Sequence, residues 1–467
     1  MQGDPLTIYQ AAVQRVPAYR AFLEQRLGRV PEVAALEAFR ELPLMTKHEY
    51  ILAHPLEDLC LDGTIRGKHC LLRSSGTSGR PFYWPKLPEE EKGAPQGLAR
   101  FLGRYFREER LPTLVVIAFA LGPWATGTTA SWAFRTLAQE MPGLTVVTPG
   151  NNAEAILDVL ERLSPLFEQT LVFTYPPFAK LVLEQGAAQG IPLRDLNITL
   201  AVGGEGMSEH YRERMVALLR HDPREFDAVW SAYGSTDFGD VGSETSTCIA
   251  VRRILHECGL AKDVLGTAEI PMIFQTAPSG SYFELVDGEL VVSRLQGVPI
   301  VRYRTGDRVV LLEFDDLVGR VRAAGHDPLT WLPQGERAPT LRTPFCLLYG
   351  RTDGMIFFYG ANLTLDQVRT ALESPEMAPY YDGHFLLGSG STLEGDPTVE
   401  VTLQDSACLR AADLDEVSRL LAASLARFHA EYADYREKLG DRLLPRLRLA
   451  PPEVFAGGWK YRRLGTS

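Results

Sequence analysis

The chain has 467 residues, 45% of them hydrophobic and 23% charged, and its 48 Lys+Arg against 59 Asp+Glu give a net charge of −11. This is a globular composition, long enough for more than one domain, and its acidic balance argues against nucleic acid as the main partner. No run reaches the roughly 18 apolar residues of a membrane helix. The start Met1-Gln2-Gly3-Asp4-Pro5 lacks the features of a secretory signal, and six cysteines are too few for a disulfide framework, so a cytoplasmic protein with no membrane partner is expected.

Residues 1–50 read as short helices, with Val13, Val16, Tyr19, Phe22 and Leu23 at helical spacing until Leu42-Pro43-Leu44-Met45-Thr46-Lys47 breaks the pattern. Next comes Arg73-Ser74-Ser75-Gly76-Thr77-Ser78-Gly79-Arg80-Pro81, rich in hydroxyls and glycine. Such a loop can aim backbone N–H groups and hydroxyls at a polyphosphate, yet it is not a Walker A sequence. From about residue 110, strands alternate with helices: a strand over 114–120, a helix over 153–163, a strand over 170–174 and a helix from Pro177. A strand over 198–202, a helix over 209–221 and a strand over 225–232 follow. That alternation predicts a parallel sheet with crossover helices and functional loops at the carboxyl ends of its strands. Residues 267–312 turn to short strands, including a hairpin about Asp287-Gly288. Beyond Gly350 the pattern predicts a small α+β unit, with strands near 355–358, 385–387 and 398–403, a helix near Asp366 and one long helix from Asp413 to about Glu437.

Four further segments fall at strand ends or loops: Gly203-Gly204-Glu205-Gly206, Tyr233-Gly234-Ser235-Thr236-Asp237, Arg302-Tyr303-Arg304-Thr305-Gly306-Asp307 and Gly350-Arg351-Thr352-Asp353-Gly354. A lone Lys460 lies in Gly457-Gly458-Trp459-Lys460 near the end. In order and spacing these segments resemble the adenylate-forming superfamily, and most of all its phenylacetate–CoA ligase branch. Leu42 to Lys47 is similar to that branch's "LPLTSK", Ser74 to Pro81 to "SSGTTGKP", Tyr233 to Asp237 to "YG(L/M)TE", Arg302 to Asp307 to "RYRTGD", and Gly350 to Asp353 to the hinge "GRxDD".

The resemblance implies an α/β fold. A large N-terminal adenylation body over 1–349, with parallel sheets and a β-rich subdomain, would precede a small mobile α+β domain over 350–467. It implies that ATP activates a carboxylic acid to acyl-AMP and that coenzyme A then takes the acyl group. An amide synthetase and a non-catalytic nucleotide-binding homologue are the alternatives. Ser74, Ser75, Gly76, Thr77, Ser78 and Gly79 would cradle the phosphates, with Arg80 where relatives carry lysine. Gly204 and Glu205 would border the adenine. Tyr233, beside Gly234, would stack on it. Thr236 would meet the α-phosphate, and Asp307 would hold the ribose with Arg351 near. Asp237 would be the Mg²⁺ ligand, one methylene shorter than the usual Glu. Lys460 would stabilise the transition state, and Asp353 would be the hinge. By the strand-end rule Trp124, Thr126, Gly127 and Tyr175 would line the acyl pocket, whose aromatic content suggests an aryl or other compact acid. The branch also often carries structural zinc, which implies Cys248, His256, Cys258 and Cys346 as a ligand set here. A homodimer is left open.

Overall fold

The computed structural model describes residues 3–74, 82–90, 92, 95, 112–222, 225, 228–276, 280–332, 341–352, 356–359, 361–381, 383–392, 396–455 and 461–463. Its contacts divide the chain into two units. One holds the chain up to Gly350 apart from two short segments, and the other holds Arg351 onward together with Tyr175–Phe178.

The first unit opens on the helices Pro5–Arg15, Pro17–Leu27 and Leu36–Arg40. An antiparallel ribbon follows, β1 (Cys70–Arg73) with β2 (Tyr83–Lys86). The main sheet has eleven strands. They are β3 (Thr113–Ile117), β4 (Leu144–Val147), β5 (Gln169–Thr174), β6 (Ile198–Gly203), β7 (Val229–Ser235), β8 (Gly239–Ser243), β9 (Met272–Thr276), β10 (Tyr282–Val286), β11 (Glu289–Arg294), β12 (Ile300–Leu312) and β13 (Phe345–Arg351), in the order β10-β11-β12-β13-β9-β8-β7-β6-β5-β3-β4. The block β4-β3-β5-β6-β7 is parallel, as alternating strands and helices require. β7–β8, β8–β9 and β9–β13 are antiparallel. The β-rich part expected within the body, β8 to β13, continues the same sheet.

β3 is buried along its whole length, as a strand covered on both faces must be. Its Val115 and Ile117 pack with Leu171, Ala201 and Trp230 from neighbouring strands and with Phe134 and Leu137 of the helix Ala125–Glu140. The β10–β11 hairpin turns at Asp287 and Gly288, both at positive φ, the backbone an Asp-Gly two-residue turn supplies.

The β1–β2 ribbon docks on the body at Gly297. Its N–H donates to Glu90 Oε2 at 2.9 Å, its carbonyl accepts from Leu61 N at 3.0 Å, and an added Cβ would lie 1.9 Å from the Pro85 carbonyl oxygen. That neighbour is backbone and cannot swing aside. Gly297→Ala is expected to cost about 1–3 kcal/mol by forcing the ribbon off its seat. Urea unfolding checks this, and an unchanged midpoint would contradict it.

The second unit contains the pair β14 (Ile356–Phe358) and β15 (Ala361–Leu363), the helix Leu365–Leu372, and a four-stranded sheet. That sheet is built from β16 (Phe385–Ser391), β17 (Pro397–Gln404), β18 (Arg446–Ala450) and β19 (Tyr461–Arg463), in the order β18-β17-β16-β19. The long helix expected after Asp413 is two helices, Leu414–Phe428 and Ala430–Leu439. The break is His429, extended at φ −134°, whose Nδ1 accepts from Tyr432 N at 3.1 Å and caps the second helix.

Candidate nucleotide and acyl site

The parallel strands β6 and β7 end side by side, with Gly203 paired to Ala232. After β6 the chain turns through Gly204 at φ +83° and the buried Glu205. It re-enters a helix at Ser208, whose hydroxyl accepts from Tyr211 N at 3.1 Å. β7 carries Tyr233, whose hydroxyl donates to Asp307 Oδ2 at 2.5 Å. Its ring lies 5.5 Å from that of Phe274.

β12 presents Asp307 through a local irregularity. Its pairing with β11 shifts between Glu289 and Val291. Glu289 fills the kink, accepting from Gly306 N at 2.7 Å and from Arg304 Nε at 3.0 Å. Asp307 N donates to Thr305 Oγ1 at 3.1 Å, so the residue is fixed from its own backbone outward. The residues expected at the adenine and ribose, Gly204, Glu205, Tyr233, Gly234 and Asp307, thus share one strand-end region or the β12 kink facing it. Thr236 sits half-buried in the β7–β8 turn.

Asp237 in the same turn is engaged by three side chains. Lys47 Nζ lies 3.1 Å from its Oδ2, Tyr303 Oη donates to that oxygen at 3.0 Å, and Gln296 Nε2 donates to its backbone carbonyl at 2.8 Å. Lys47 arrives because Met45 pairs with β12: Met45 N donates to Arg302 O at 3.0 Å and Arg304 N to Met45 O at 2.9 Å. Arg302, at φ +51°, ties the same segment through its guanidinium to the Leu42 carbonyl and to Glu284. A divalent cation on Asp237 Oδ2 would face the Lys47 ammonium across one shared oxygen. Both side-chain contacts fall on Oδ2, so the carboxylate would offer a divalent cation its Oδ1.

The Leu42–Lys47 segment marks this position in the sequence, but nothing in the sequence names Lys47 as the partner of Asp237. Lys47→Met and Tyr303→Phe are expected to couple by about 0.5–3 kcal/mol in a double-mutant cycle of stability, because both meet one carboxylate oxygen. Additive effects would contradict the shared contact.

Beneath these loops four charges are buried together. Arg212 reaches Glu209 at 3.1 Å and Glu244 at 2.6 Å, while Arg252 reaches Glu209 at 2.7 Å and Glu244 at 3.2 Å. Glu244 also accepts from Ser231 N at 2.8 Å. Arg252 donates to the carbonyls of Met207 at 2.7 Å and Pro271 at 2.9 Å. Burial alone would raise the Glu209 carboxyl, but Arg212 and Arg252 outweigh it and hold it below the usual carboxylate range. The quartet fixes the turn after β6 to the strand that carries Tyr233.

On the other side, Ser74 is buried at the end of β1. Its Oγ accepts from Phe82 N at 3.2 Å and its N–H donates to Phe82 O at 2.9 Å. Ser74 closes the base of the loop, and Ser75, Gly76, Thr77, Ser78, Gly79 and Arg80 lie outside the described residues, as do Asp353 and Lys460. Trp124 is the residue before the helix Ala125–Glu140, and Thr126 lies in its first turn. Gly127 packs on the preceding loop, where an added Cβ would lie 2.2 Å from Ala120 O; close backbone packing accounts for that glycine. Tyr175 directly follows β5 and groups with the second unit, as does Arg351 at the end of β13.

The zinc expectation is overturned. Among the described residues no three His, Cys, Asp or Glu side chains gather as a metal site, and all four expected ligands are described. Cys248 and His256 stand on the helix Ser246–Glu257, eight residues and so about 12 Å apart along its axis. Cys248 packs among Val251, Ile254 and Leu255, and burial pushes its thiol up to about 12. Cys346 is buried on β13 and its thiol is likewise raised by burial, whereas Cys258 and His256 are exposed.

No family model and no curated protein matches the chain. Solved structures do. A 2-hydroxyisobutyryl-CoA ligase complexed with 2-HIB-AMP and CoA in the thioesterification state aligns over 98% of this chain and 87% of its own, at 16% identity and a TM-score of 0.57. The same ligase in the postadenylation state with 2-HIB-AMP aligns over 97% and 85%, at 17% identity and a TM-score of 0.51. The chain shares the fold of these ligases, a large mixed sheet body followed by a smaller α+β part.

Proposed function

We propose that the protein activates a compact carboxylic acid, aryl or otherwise, with ATP and passes the acyl group to coenzyme A, as an AMP-forming acid–thiol ligase. A carboxylate oxygen attacks the α-phosphorus, the bond to the bridging oxygen breaks, and pyrophosphate leaves. The thiol sulfur then attacks the acyl carbon, the carbon–oxygen bond to AMP breaks, and AMP leaves with the electron pair.

The observation that carries this reading is the Tyr233–Asp307 pair at the joined ends of β6 and β7. It sets an aromatic face and a carboxylate at the carboxyl edge of a parallel sheet, where nucleotides bind in such folds. In this reading Gly204, Glu205 and Tyr233 hold the base and Asp307 the ribose, with Arg351 assisting. Thr236 meets the α-phosphate. Ser75, Thr77, Ser78 and Arg80 hold the leaving phosphates, and ATP brings Mg²⁺ on its own phosphates. Lys460 stabilises charge in the adenylation step. Asp353 is the hinge residue, three positions after Gly350, which has φ +109°. The shared fold with CoA ligases supports a thiol acceptor over an amine.

The acceptor is tested by following AMP release with ATP and an acid panel, adding coenzyme A or a panel of amines. Release stimulated by coenzyme A alone is expected. Stimulation by an amine alone would make the protein an amide synthetase.

A further inference from the structure

Asp307 is held from two sides, through its backbone and through its carboxylate. The backbone hold is a bulge. β12 advances from Arg304 to Arg308 while its partner β11 spans only Val291 to Glu289, so β12 carries extra residues there. A bulge re-aims the side chains within it and frees ladder groups that need other partners. Gly306 supplies the positive φ, +80°, and Glu289 supplies the acceptors. Its Oε1 accepts from Gly306 N at 2.7 Å and its Oε2 from Arg304 Nε at 3.0 Å. Thr305 Oγ1 donates to Leu290 O at 2.8 Å and accepts from Asp307 N at 3.1 Å. Glu289 is 4% exposed, so a carboxylate has been carried into the interior, at a cost that its donors must offset. Regular pairing of β12 with β11 would need no such carboxylate. What the bulge delivers is the placement of Asp307 against Tyr233.

The carboxylate hold is the Tyr233 hydroxyl, which donates to Asp307 Oδ2 at 2.5 Å. Its ring is 8% exposed and packs against Phe274 at 5.5 Å and Phe238 at 6.3 Å, which aims the hydroxyl. A hydrogen bond onto an ionised acceptor is among the strong ones, and it ties the carboxylate to one orientation. The reading above uses only the ring of Tyr233 and gives Glu289 no task, yet both converge on Asp307.

We propose that Glu289 and the Tyr233 hydroxyl are positioning residues: they fix the Asp307 carboxylate at the sugar of the nucleotide and so set the preference for a ribonucleotide over a deoxynucleotide. This rests on the reading above that Asp307 holds the ribose.

The test titrates AMP, 2′-deoxy-AMP and 3′-deoxy-AMP calorimetrically into the full chain and into Asp307→Ala, Tyr233→Phe and Glu289→Gln, each first shown by urea unfolding to be folded. Tyr233→Phe keeps the ring and Glu289→Gln keeps the shape, so either alone carries the test if the other does not fold. The wild-type chain is expected to bind AMP about tenfold or more tightly than the analogue lacking the hydroxyl that Asp307 accepts, the loss of one hydrogen bond to a charged group. Asp307→Ala is expected to bind all three alike. Tyr233→Phe and Glu289→Gln are expected to narrow the preference several-fold, with AMP weakened more than the analogue. In pyrophosphate-release assays the same change should fall on the KM for ATP relative to that for the deoxynucleotide, rather than on kcat. A folded variant that keeps the full preference overturns the proposal. So does one that weakens AMP and both analogues by the same factor, which would make the hold merely structural. If the wild-type chain shows no preference, or Asp307→Ala keeps it, the ribose placement falls and the proposal with it. A preference that needs Asp307 but survives Tyr233→Phe and Glu289→Gln overturns the proposal and leaves the ribose reading standing.

Discussion

Glu244→Ala is expected to destabilise the protein by about 3–5 kcal/mol, the range for breaking a buried ion pair from one side. Glu244 is fully buried, and its carboxylate meets Arg212 at 2.6 Å, Arg252 at 3.2 Å and Ser231 N at 2.8 Å. Alanine would leave two guanidinium groups facing the single carboxylate of Glu209. Denaturant unfolding measures the loss, and a change under about 1 kcal/mol would contradict the account of the quartet. The same cluster gives a pH dependence. The Glu209 carboxyl is held below its ordinary 4.5 in the folded protein, so its contribution is complete above that pH. It is lost as pH falls through the lowered folded value.

Lys460→Ala is expected to lower acyl-adenylate formation by about 10²-fold or more, the effect of removing one well-placed donor to developing charge. Acyl transfer from supplied acyl-AMP should be largely retained. The grounds are the residue's chemistry and its setting, a lone lysine after two glycines near the end of the chain. Pyrophosphate release reads the first step and thioester formation the second. Equal losses in both would contradict the separate role of Lys460 in adenylation.

The parallel block was legible because its strands are apolar runs spaced by amphipathic helices. Observed β5 and β6, Gln169–Thr174 and Ile198–Gly203, fall within a residue of the expected bounds. β7 was less legible: it runs Val229–Ser235 rather than 225–232, because Tyr233 and Gly234 are strand residues that read as the loop beyond it. The break at His429 carried no signal, since neither proline nor glycine stands there and an imidazole does the capping. Tyr233 and Asp307 were legible as motif residues, and the structure joins them. Lys47, 190 positions from Asp237, was not assignable, since only the pairing of Met45 with β12 brings it there. The zinc set came from the family resemblance, and the four side chains do not gather in this chain. Cys248 faces the core, while His256 and Cys258 face solvent.

Acid-dependent exchange of labelled pyrophosphate into ATP tests the central claim most directly, because it reads acyl-AMP formation without regard to the acceptor. A panel of compact mono- and dicarboxylic acids should contain members that drive exchange in the wild-type chain. Asp307→Ala should raise the KM for ATP, since the proposed function puts Asp307 at the ribose. Exchange absent across the panel, in folded protein that binds ATP, would contradict the account.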